Sequence, residues 1–156
     1  VSAVPNHQVG RITPLETRGH VACTGAFGYE LDLGQLSQAE KSEVRQQVEW
    51  YKKVRPLLIS GDLYRLKSPY ESREVAWMVV SEDKREALLT HVTVLNEANA
   101  PASRLKLQGL SPDFVYRVRE GEHSYAVSGD VLMHQGVFVP QASGDFQSIQ
   151  WHLSVE

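Results

Sequence analysis

The sequence predicts an α/β segment followed by an all-β domain, an antiparallel sandwich. Three features support this prediction. Up to about residue 61, strand-like and helix-like stretches alternate. Beyond it, short strands are separated by turns rich in Gly, Pro, Asn, Asp and Ser. A capped amphipathic helix stands between the two. We therefore expect residues 1–61 to end a larger α/β structure and residues 62–156 to form the β domain.

The chain opens on an apolar stretch, Val1-Ser2-Ala3-Val4, which runs into Pro5 and reads as the end of a buried strand. Such a strand needs neighbours, and two β/α units cannot close a sheet by themselves. We therefore expect this chain to be the C-terminal part of a longer protein.

A short helix is predicted from Pro14 to about Cys23. Thr13 would cap it, Pro14 suits the first helical position, and Glu16 is placed for a capping box. The next predicted strand is Ala26–Leu33, because its large side chains recur at every second residue. They are Phe27, Tyr29, Leu31 and Leu33.

The strongest helix signal begins at Ser37, where Ser37 and Glu40 form a second capping box. Apolar residues then recur at steps of three and four, which gives one stripe along the helix. They are Val44, Val48, Tyr51, Val54 and Leu58. Pro56 has no amide proton, so the helix is expected to end or kink near Arg55.

From residue 62 onward we predict only strands and turns. The predicted strands are Asp62–Leu66, Val75–Ser81, Ala87–Leu95, Arg104–Gln108, Phe114–Arg119, Val137–Pro140 and Phe146–Val155. Ser-Gly-Asp occurs three times, at Ser60, Ser128 and Ser143, and is interpreted as a tight turn before a strand. Trp77, Trp151, Phe114, Tyr116 and Phe138 lie in these strands. We expect most of them in the core, with an exposed sugar-stacking row as the alternative.

Composition excludes several classes of function. The formal net charge is −3 and no basic patch is visible, which argues against nucleic-acid binding. No apolar run reaches about 18 residues, so no membrane span is predicted. The single cysteine, Cys23, suits a reducing compartment, and we expect a cytoplasmic protein. The six histidines are scattered without ligand spacing, so no metal site is predicted.

Several stretches resemble one family closely. They are SAVPNHQ from Ser2, TPLETRG from Thr13, GAFGYELD from Gly25, ISGDLYRLKS from Ile59, SGDVLM from Ser128 and GDFQSIQWH from Gly144. Together they look like the C-terminal end of microbial α-galactosidases of glycoside hydrolase family 36, and the resemblance runs along essentially the whole chain.

The resemblance implies a retaining enzyme that removes terminal α-linked galactose from oligosaccharides such as raffinose or melibiose. Its fold would combine an N-terminal β domain, a central (β/α)8 barrel and a C-terminal antiparallel β domain. Residues 1–61 would then be the last two β/α units of the barrel. Both catalytic Asp residues of the family lie upstream of the position that matches Val1. No catalytic residue is therefore assigned in this chain, and we expect it to be inactive alone.

Two pairs of polar residues remain candidates. Asn6 and His7 lie just past a predicted barrel strand, where barrel enzymes build their active sites. We expect them to order that loop, with sugar contact as the alternative. Glu30 and Asp32 share one face of a strand, and retaining glycosidases hold two carboxylates about 5–5.5 Å apart. Because the family acids lie elsewhere, we expect this pair to be solvated, ion-paired or capping.

The role expected for this chain is therefore structural. It would close the barrel, cover its side and contribute to contacts in a homo-oligomer. The alternative is that the β domain is an autonomous module that binds carbohydrate or another protein.

Overall fold

The computed structural model describes residues 1–101 and 103–155, which form three α-helices and eight β-strands. The helices are α1 Leu15–Ala22, α2 Gln38–Ser60 and α3 Gly129–His134. The strands are β1 Asp62–Lys67, β2 Glu74–Val80, β3 Glu86–Thr93, β4 Ser103–Leu105, β5 Val115–Glu120, β6 His123–Ser128, β7 Val137–Val139 and β8 Gln147–Val155.

The strands form one large sheet and one small one. The six-stranded sheet has the order β1-β2-β3-β8-β5-β6, and all its neighbours are antiparallel. β4 and β7 form the two-stranded sheet. The predicted antiparallel β architecture is thus present, but the second layer is much smaller than the first.

One face of the six-stranded sheet carries the main core. Met78 on β2, Leu89 on β3 and Trp151 on β8 lie side by side in register, and all three are buried. Leu105 and Val137 from the small sheet and Leu132 from α3 belong to the same apolar cluster. Period-two alternation therefore places the large side chains of neighbouring strands in one layer.

Helix α2 covers the opposite face of the same sheet. Val54 and Leu57 of α2 form a second apolar cluster with Val79 of β2 and Leu88 of β3. Strand β3 is consequently buried on both faces from residue 87 to residue 93.

Helix α2 does not end near Arg55, because it runs through Pro56 to Ser60. Proline removes one backbone donor, which packing can offset. The next residue, Leu57, is buried, and its carbonyl accepts a bond from the Gly61 amide at 2.8 Å. The Ser37–Glu40 capping box is confirmed: the Ser37 hydroxyl accepts from the Glu40 amide, and the Glu40 carboxylate accepts from the Ser37 amide.

Other differences lie near the N-terminus. Helix α1 begins at Leu15 with Pro14 in the capping position, and no side chain caps it, so the Thr13 capping box is absent. The two strands predicted before and after α1 are reduced to one parallel bridge between Ser2 and Glu30. Gly28 interrupts the second segment, Gly25 and Gly34 flank it, and glycine weakens a strand. A short 3₁₀ helix, Leu33–Gln35, replaces its end.

The sequence analysis missed β6 and α3. The first four residues of β6 are exposed, so the strand lacks a buried alternating face. The Ser128 hydroxyl accepts from the Val131 amide at 3.4 Å and caps α3, so this Ser-Gly-Asp begins a helix and not a strand. The first and third copies do precede strands, β1 and β8.

Candidate functional site

The loop after the first segment is organised by Asn6. Its amide donates to the Arg11 carbonyl at 2.8 Å, and its own carbonyl accepts from the Gly10 amide at 2.8 Å. The side-chain oxygen accepts from the amides of Gln8, at 3.0 Å, and Val9, at 3.2 Å. Asn6 therefore closes the turn from both ends, which is a common role for asparagine.

His7 lies in the same turn but does not take part in closing it. Its side chain is exposed, and no hydrogen bond joins the ring to another of the described residues. The ring is thus available to a group outside this chain, whereas the side-chain oxygen of Asn6 already accepts two backbone amides of the loop.

The two segments that flank α1 run parallel. Ser2 pairs with Glu30, and the Glu30 amide donates to the Val1 carbonyl at 2.9 Å. The Arg18 guanidinium on α1 donates to the carbonyls of Ser2 and Thr13, which anchors the helix to the first segment. A strand-like segment, a helix and a parallel segment follow one another here, as in a β/α unit.

The acidic pair of the second segment does not form a joint site. Asp32 accepts from the Gly34 amide at 2.8 Å and from the Gln35 side-chain amide at 3.0 Å, so it caps the 3₁₀ helix. Glu30 is exposed. The Asp32 carboxylate therefore has a structural role, in line with the capping interpretation.

Tyr29 is held by packing and by hydrogen bonds from its hydroxyl to α2. Its hydroxyl donates to the Gln47 side-chain oxygen at 2.8 Å, and its ring meets Phe27 edge-on at 5.4 Å. Burial, followed by the thiol of Cys23 and the charge of Glu43, raises the pKa of Tyr29 to about 12. Gln47 also donates to the Leu15 carbonyl at 3.1 Å. This glutamine thus joins α1, α2 and the second segment.

A polar chain joins α1 to the sheet. The Ser148 hydroxyl of β8 lies 2.7 Å from His20 Nδ1 and donates to the Thr17 hydroxyl at 3.0 Å. Burial lowers the pKa of His20 to about 4, so the imidazole is neutral at pH 7. A neutral His20 keeps its hydrogen bond with Ser148 without placing an unpaired charge in the interior.

A second contact joins α2 to the same strand. The Trp50 indole N–H donates to the Gln150 side-chain oxygen at 3.0 Å, and the ring meets His152 edge-on at 5.5 Å. Gln150 in turn donates to the Thr90 hydroxyl at 3.0 Å. A further contact places the Arg11 guanidinium 4.7 Å from the centre of the Phe146 ring, just before β8. The helical region is therefore fixed to β8 at several separate points.

Cys23 has the properties of a structural thiol. It is buried, and burial raises its pKa to about 11. A neutral thiol is a poor nucleophile and a poor metal ligand. Over residues 1–101 and 103–155, no group of three or more His, Cys, Asp and Glu side chains could hold a metal ion.

The aromatic residues of the β region occupy different environments. Trp151 and Tyr116 are buried in the main core, whereas Phe114 is half-buried beside it. Trp77 is half-buried on β2, and half of the Phe138 side chain is exposed on the small sheet.

One polar cluster was missed by the sequence analysis. The Glu74 carboxylate lies between the Lys67 ammonium, which donates to it, and buried His91, whose Nε2 is 3.6 Å from the carboxylate. Burial is the main cause that lowers the pKa of His91. The alternation of Ala87, Leu89 and His91 on β3 was the available signal, because it places the histidine on the core face.

Comparison with known proteins assigns both regions of the chain. The family model for the glycosyl hydrolase family 36 C-terminal domain matches residues 74–153, and the melibiase model matches residues 1–61. None of the described helices is long and apolar enough to span a bilayer.

Several α-galactosidases are similar to this chain over nearly its whole length. It is 54% identical over 153 residues to α-galactosidase AgaA of Geobacillus stearothermophilus, which covers 98% of this chain and 21% of AgaA. It is 45% identical to α-galactosidase Mel36A of Lactobacillus acidophilus, over 98% of this chain and 20% of Mel36A. The chain thus spans about a fifth of the length of these relatives.

Solved structures agree with these sequence matches. A crystal structure of an AgaA variant in complex with raffinose superposes with a TM-score of 0.94 at 51% identity, covering 100% of this chain and 21% of AgaA. A second AgaA variant was solved in complex with stachyose, also with a TM-score of 0.94. The galactosidase domain of the α-galactosidase–sucrose kinase AgaSK gives 0.94 at 40% identity, with coverages of 100% and 21%.

Proposed function

This chain belongs to glycoside hydrolase family 36, and on that basis we propose that it is the C-terminal part of a retaining α-galactosidase. The whole enzyme would hydrolyse terminal α-linked galactose from oligosaccharides such as raffinose or melibiose. AgaA, to which the chain is 54% identical, is an α-galactosidase and has been solved with raffinose and stachyose bound to variants. The enzyme would be a cytoplasmic homo-oligomer that needs no cofactor.

The observation that carries this proposal is the parallel pairing of Ser2 with Glu30 across α1. Residues 1–61 would be the last two β/α units of a (β/α)8 barrel, with the two paired segments as its final strands and α1 and α2 as its final helices. Barrel neighbours on both sides would extend the single bridge into full strands. Residues 62–156 would form the C-terminal β domain.

In this proposal the reaction is a double displacement. A carboxylate attacks the anomeric carbon, and a carboxylic acid protonates the leaving oxygen. Water then releases galactose from the covalent intermediate. Both carboxyl groups would belong to upstream barrel strands. The described residues of this chain would hold the last two strands in place through α1, α2 and β8.

Asn6 and His7 would lie at the mouth of the barrel, because the active sites of barrel enzymes lie at the C-terminal ends of the strands. Asn6 would act through the shape of the loop, since its side chain already accepts two backbone amides. The exposed His7 is the better candidate for direct contact with a sugar hydroxyl.

A chimeric enzyme tests the proposal. The last fifth of AgaA would be replaced by this chain, and turnover of 4-nitrophenyl α-galactoside and raffinose would be measured. We expect an active chimera and an inactive isolated chain. A folded chimera without turnover, or turnover by the purified chain itself, would contradict the proposal. Saturable binding of galactose or raffinose to the isolated chain would instead favour an autonomous carbohydrate-binding module.

Variants of the chimera separate the two loop residues. His7→Ala should raise KM for raffinose roughly tenfold without lowering the melting temperature, since one hydrogen bond to a sugar would be lost. Asn6→Ala should lower kcat/KM together with loop order. Gln8→Ala is the matched control, because its exposed side chain lies in the same turn but does not close it. Unchanged kinetics in His7→Ala would remove this residue from the substrate site.

A further inference from the structure

The two edges of the six-stranded sheet differ in how they are protected. Edge strand β1 contains Asp62, Arg65 and Lys67, and its pairing with β2 is interrupted by a bulge at Arg65/Lys67. Charged side chains and bulges discourage the addition of another strand. The opposite edge, β6, has the sequence HSYAVS, with no Asp, Glu, Lys, Arg or Pro. Its six pairs with β5 follow without a register shift.

The backbone groups that face away from β5 can be identified. The Gly129 amide donates to the Phe114 carbonyl at 2.8 Å, directly beyond the pair Val115–Ser128. Antiparallel pairs alternate between bonded and non-bonded. His123, Tyr125 and Val127 therefore bond to β5, whereas Ser124 and Ala126 point their N–H and C=O groups outward.

We propose that this edge, residues 123–128, pairs with the same strand of a second copy of the chain. In an antiparallel arrangement about a two-fold axis at Tyr125, Ser124 would bond to the partner's Ala126, and Ala126 to the partner's Ser124. Each pair would exchange two backbone bonds, about four in total. The two six-stranded sheets would then become one continuous sheet.

The side chains of β6 suit this self-pairing. Ser124 and Ala126 are small and lie on one face, so they do not obstruct a second strand. Tyr125 lies on the other face, opposite core residue Val118, and is 45% exposed, so the exposed part of its ring can meet the partner's Tyr125. An aromatic pair directly opposite itself is a favourable cross-strand contact, and a two-fold interface requires such self-complementarity.

The position of β6 leaves this edge accessible. Helices α1 and α2 cover β2, β3 and β8, and the order of the sheet places β5 between β8 and β6. Strand β5 therefore separates this edge from α1 and α2, except at His123, which lines a cavity together with Trp50 and Lys53 of α2. Strand β6 would thus be one interface of the homo-oligomer proposed above. Its test measures association and does not depend on catalysis.

Two measurements on the purified chain test this edge. Sedimentation velocity from about 1 to 100 µM should show a monomer–dimer equilibrium. Amide hydrogen exchange followed by NMR should show protection of Ser124 and Ala126 that is lost on dilution. Tyr125 and Val127 should stay protected at all concentrations, because they bond to β5. A chain that remains monomeric, or a dimer whose Ser124 and Ala126 amides exchange freely, would overturn the proposal.

Variants at the two edges provide the control. Ala126→Pro removes an outward N–H while sparing the bonds to β5, and Tyr125→Lys places two like charges together at the axis. Each should weaken the dimer at least tenfold. Leu63→Lys, an exposed position on β1, should leave the dimer unchanged. If the oligomers persist in both β6 variants, pairing through β6 is refuted, although the chain still forms a homo-oligomer. If only Leu63→Lys dissociates the dimer, the contact lies at β1.

Discussion

The helical region and the β region of this chain are stabilised in different ways. Of the largest fully buried side chains, all except Val54 lie beyond residue 61, and none lies within residues 1–36. That first stretch instead exposes several large apolar side chains, Val4, Val9, Ile12, Val21 and Leu33. Its contacts with the rest of the chain include hydrogen bonds to α2 and β8 and the stacking of Phe27 on Tyr51 of α2. The β region therefore has a core of its own, whereas residues 1–36 depend on their neighbours for order.

Removing core volume should show the largest difference between the two regions. Leu153 is fully buried in the main cluster, so Leu153→Ala should lower the free energy of unfolding by about 3 kcal/mol. Leu33→Ala removes the same atoms from a side chain that is 48% exposed, and should cost less than about 0.5 kcal/mol. Urea unfolding followed by circular dichroism measures both. Equal losses of unfolding free energy in the two variants would contradict the proposed difference between the β region and residues 1–36.

Acid should loosen the helical region before the β core. His20 has a folded pKa of about 4, below its ordinary value near 6.5. Between these two pH values the unfolded chain binds a proton at His20 and the folded chain does not. The free energy of unfolding is therefore not reduced by His20 above pH 6.5. It falls as the pH drops toward 4, by about 3 kcal/mol at most. Burial lowers the pKa of His91 too, which adds a loss of the same sign. Hydrogen exchange at pH 7.5 and 5.0 should show α1 opening first.

His20→Gln tests which histidine is responsible. Glutamine can still hydrogen-bond to Ser148 but does not titrate, so the pH dependence between 7.5 and 5.0 should shrink to the part caused by His91. An unchanged slope would exclude His20 as the source.

Helix capping gives the smallest of the three effects. Ser37→Ala removes the hydroxyl that accepts from the Glu40 amide, and it should cost about 1 kcal/mol even though the backbone amide of residue 37 can still donate to the Glu40 carboxylate. Thr13→Ala is the matched control, because no side chain caps α1, and it should change the unfolding midpoint very little. A comparable loss in Thr13→Ala would show that α1 is capped in solution.

Capping and periodicity in the sequence predicted those helices and strands whose positions depend on neighbouring residues. The Ser37–Glu40 box fixed the start of α2, and alternation placed β2, β3, β5 and β8 close to their observed bounds. The end of α2 was missed because burial of Leu57 outweighs the effect of Pro56. Strand β6 and helix α3 were missed because their pattern shows no buried alternating face, and their place depends on pairing with β5 and packing on the main core.

The candidate site was predictable only to the level of a turn. The position of Asn6 just past a predicted strand indicated that it orders a loop, but its bonds to Gln8, Val9, Gly10 and Arg11 could not be derived from the sequence. The chain His20–Ser148–Thr17 could not be found from sequence, because it joins residues 128 positions apart. No local periodicity reports such a contact.

Because β3 is buried on both faces, the division of the sequence near residue 61 does not separate two independently packed parts of the fold. A fragment that starts at Asp62 would keep every strand but would lose α2, and the apolar side chains of Val79 and Leu88 would face water. Such a fragment would aggregate or bind hydrophobic dyes even though its main core was intact. Anyone who trims this protein to its β region should begin the fragment at Ser37, so that the helix remains attached to the sheet it covers.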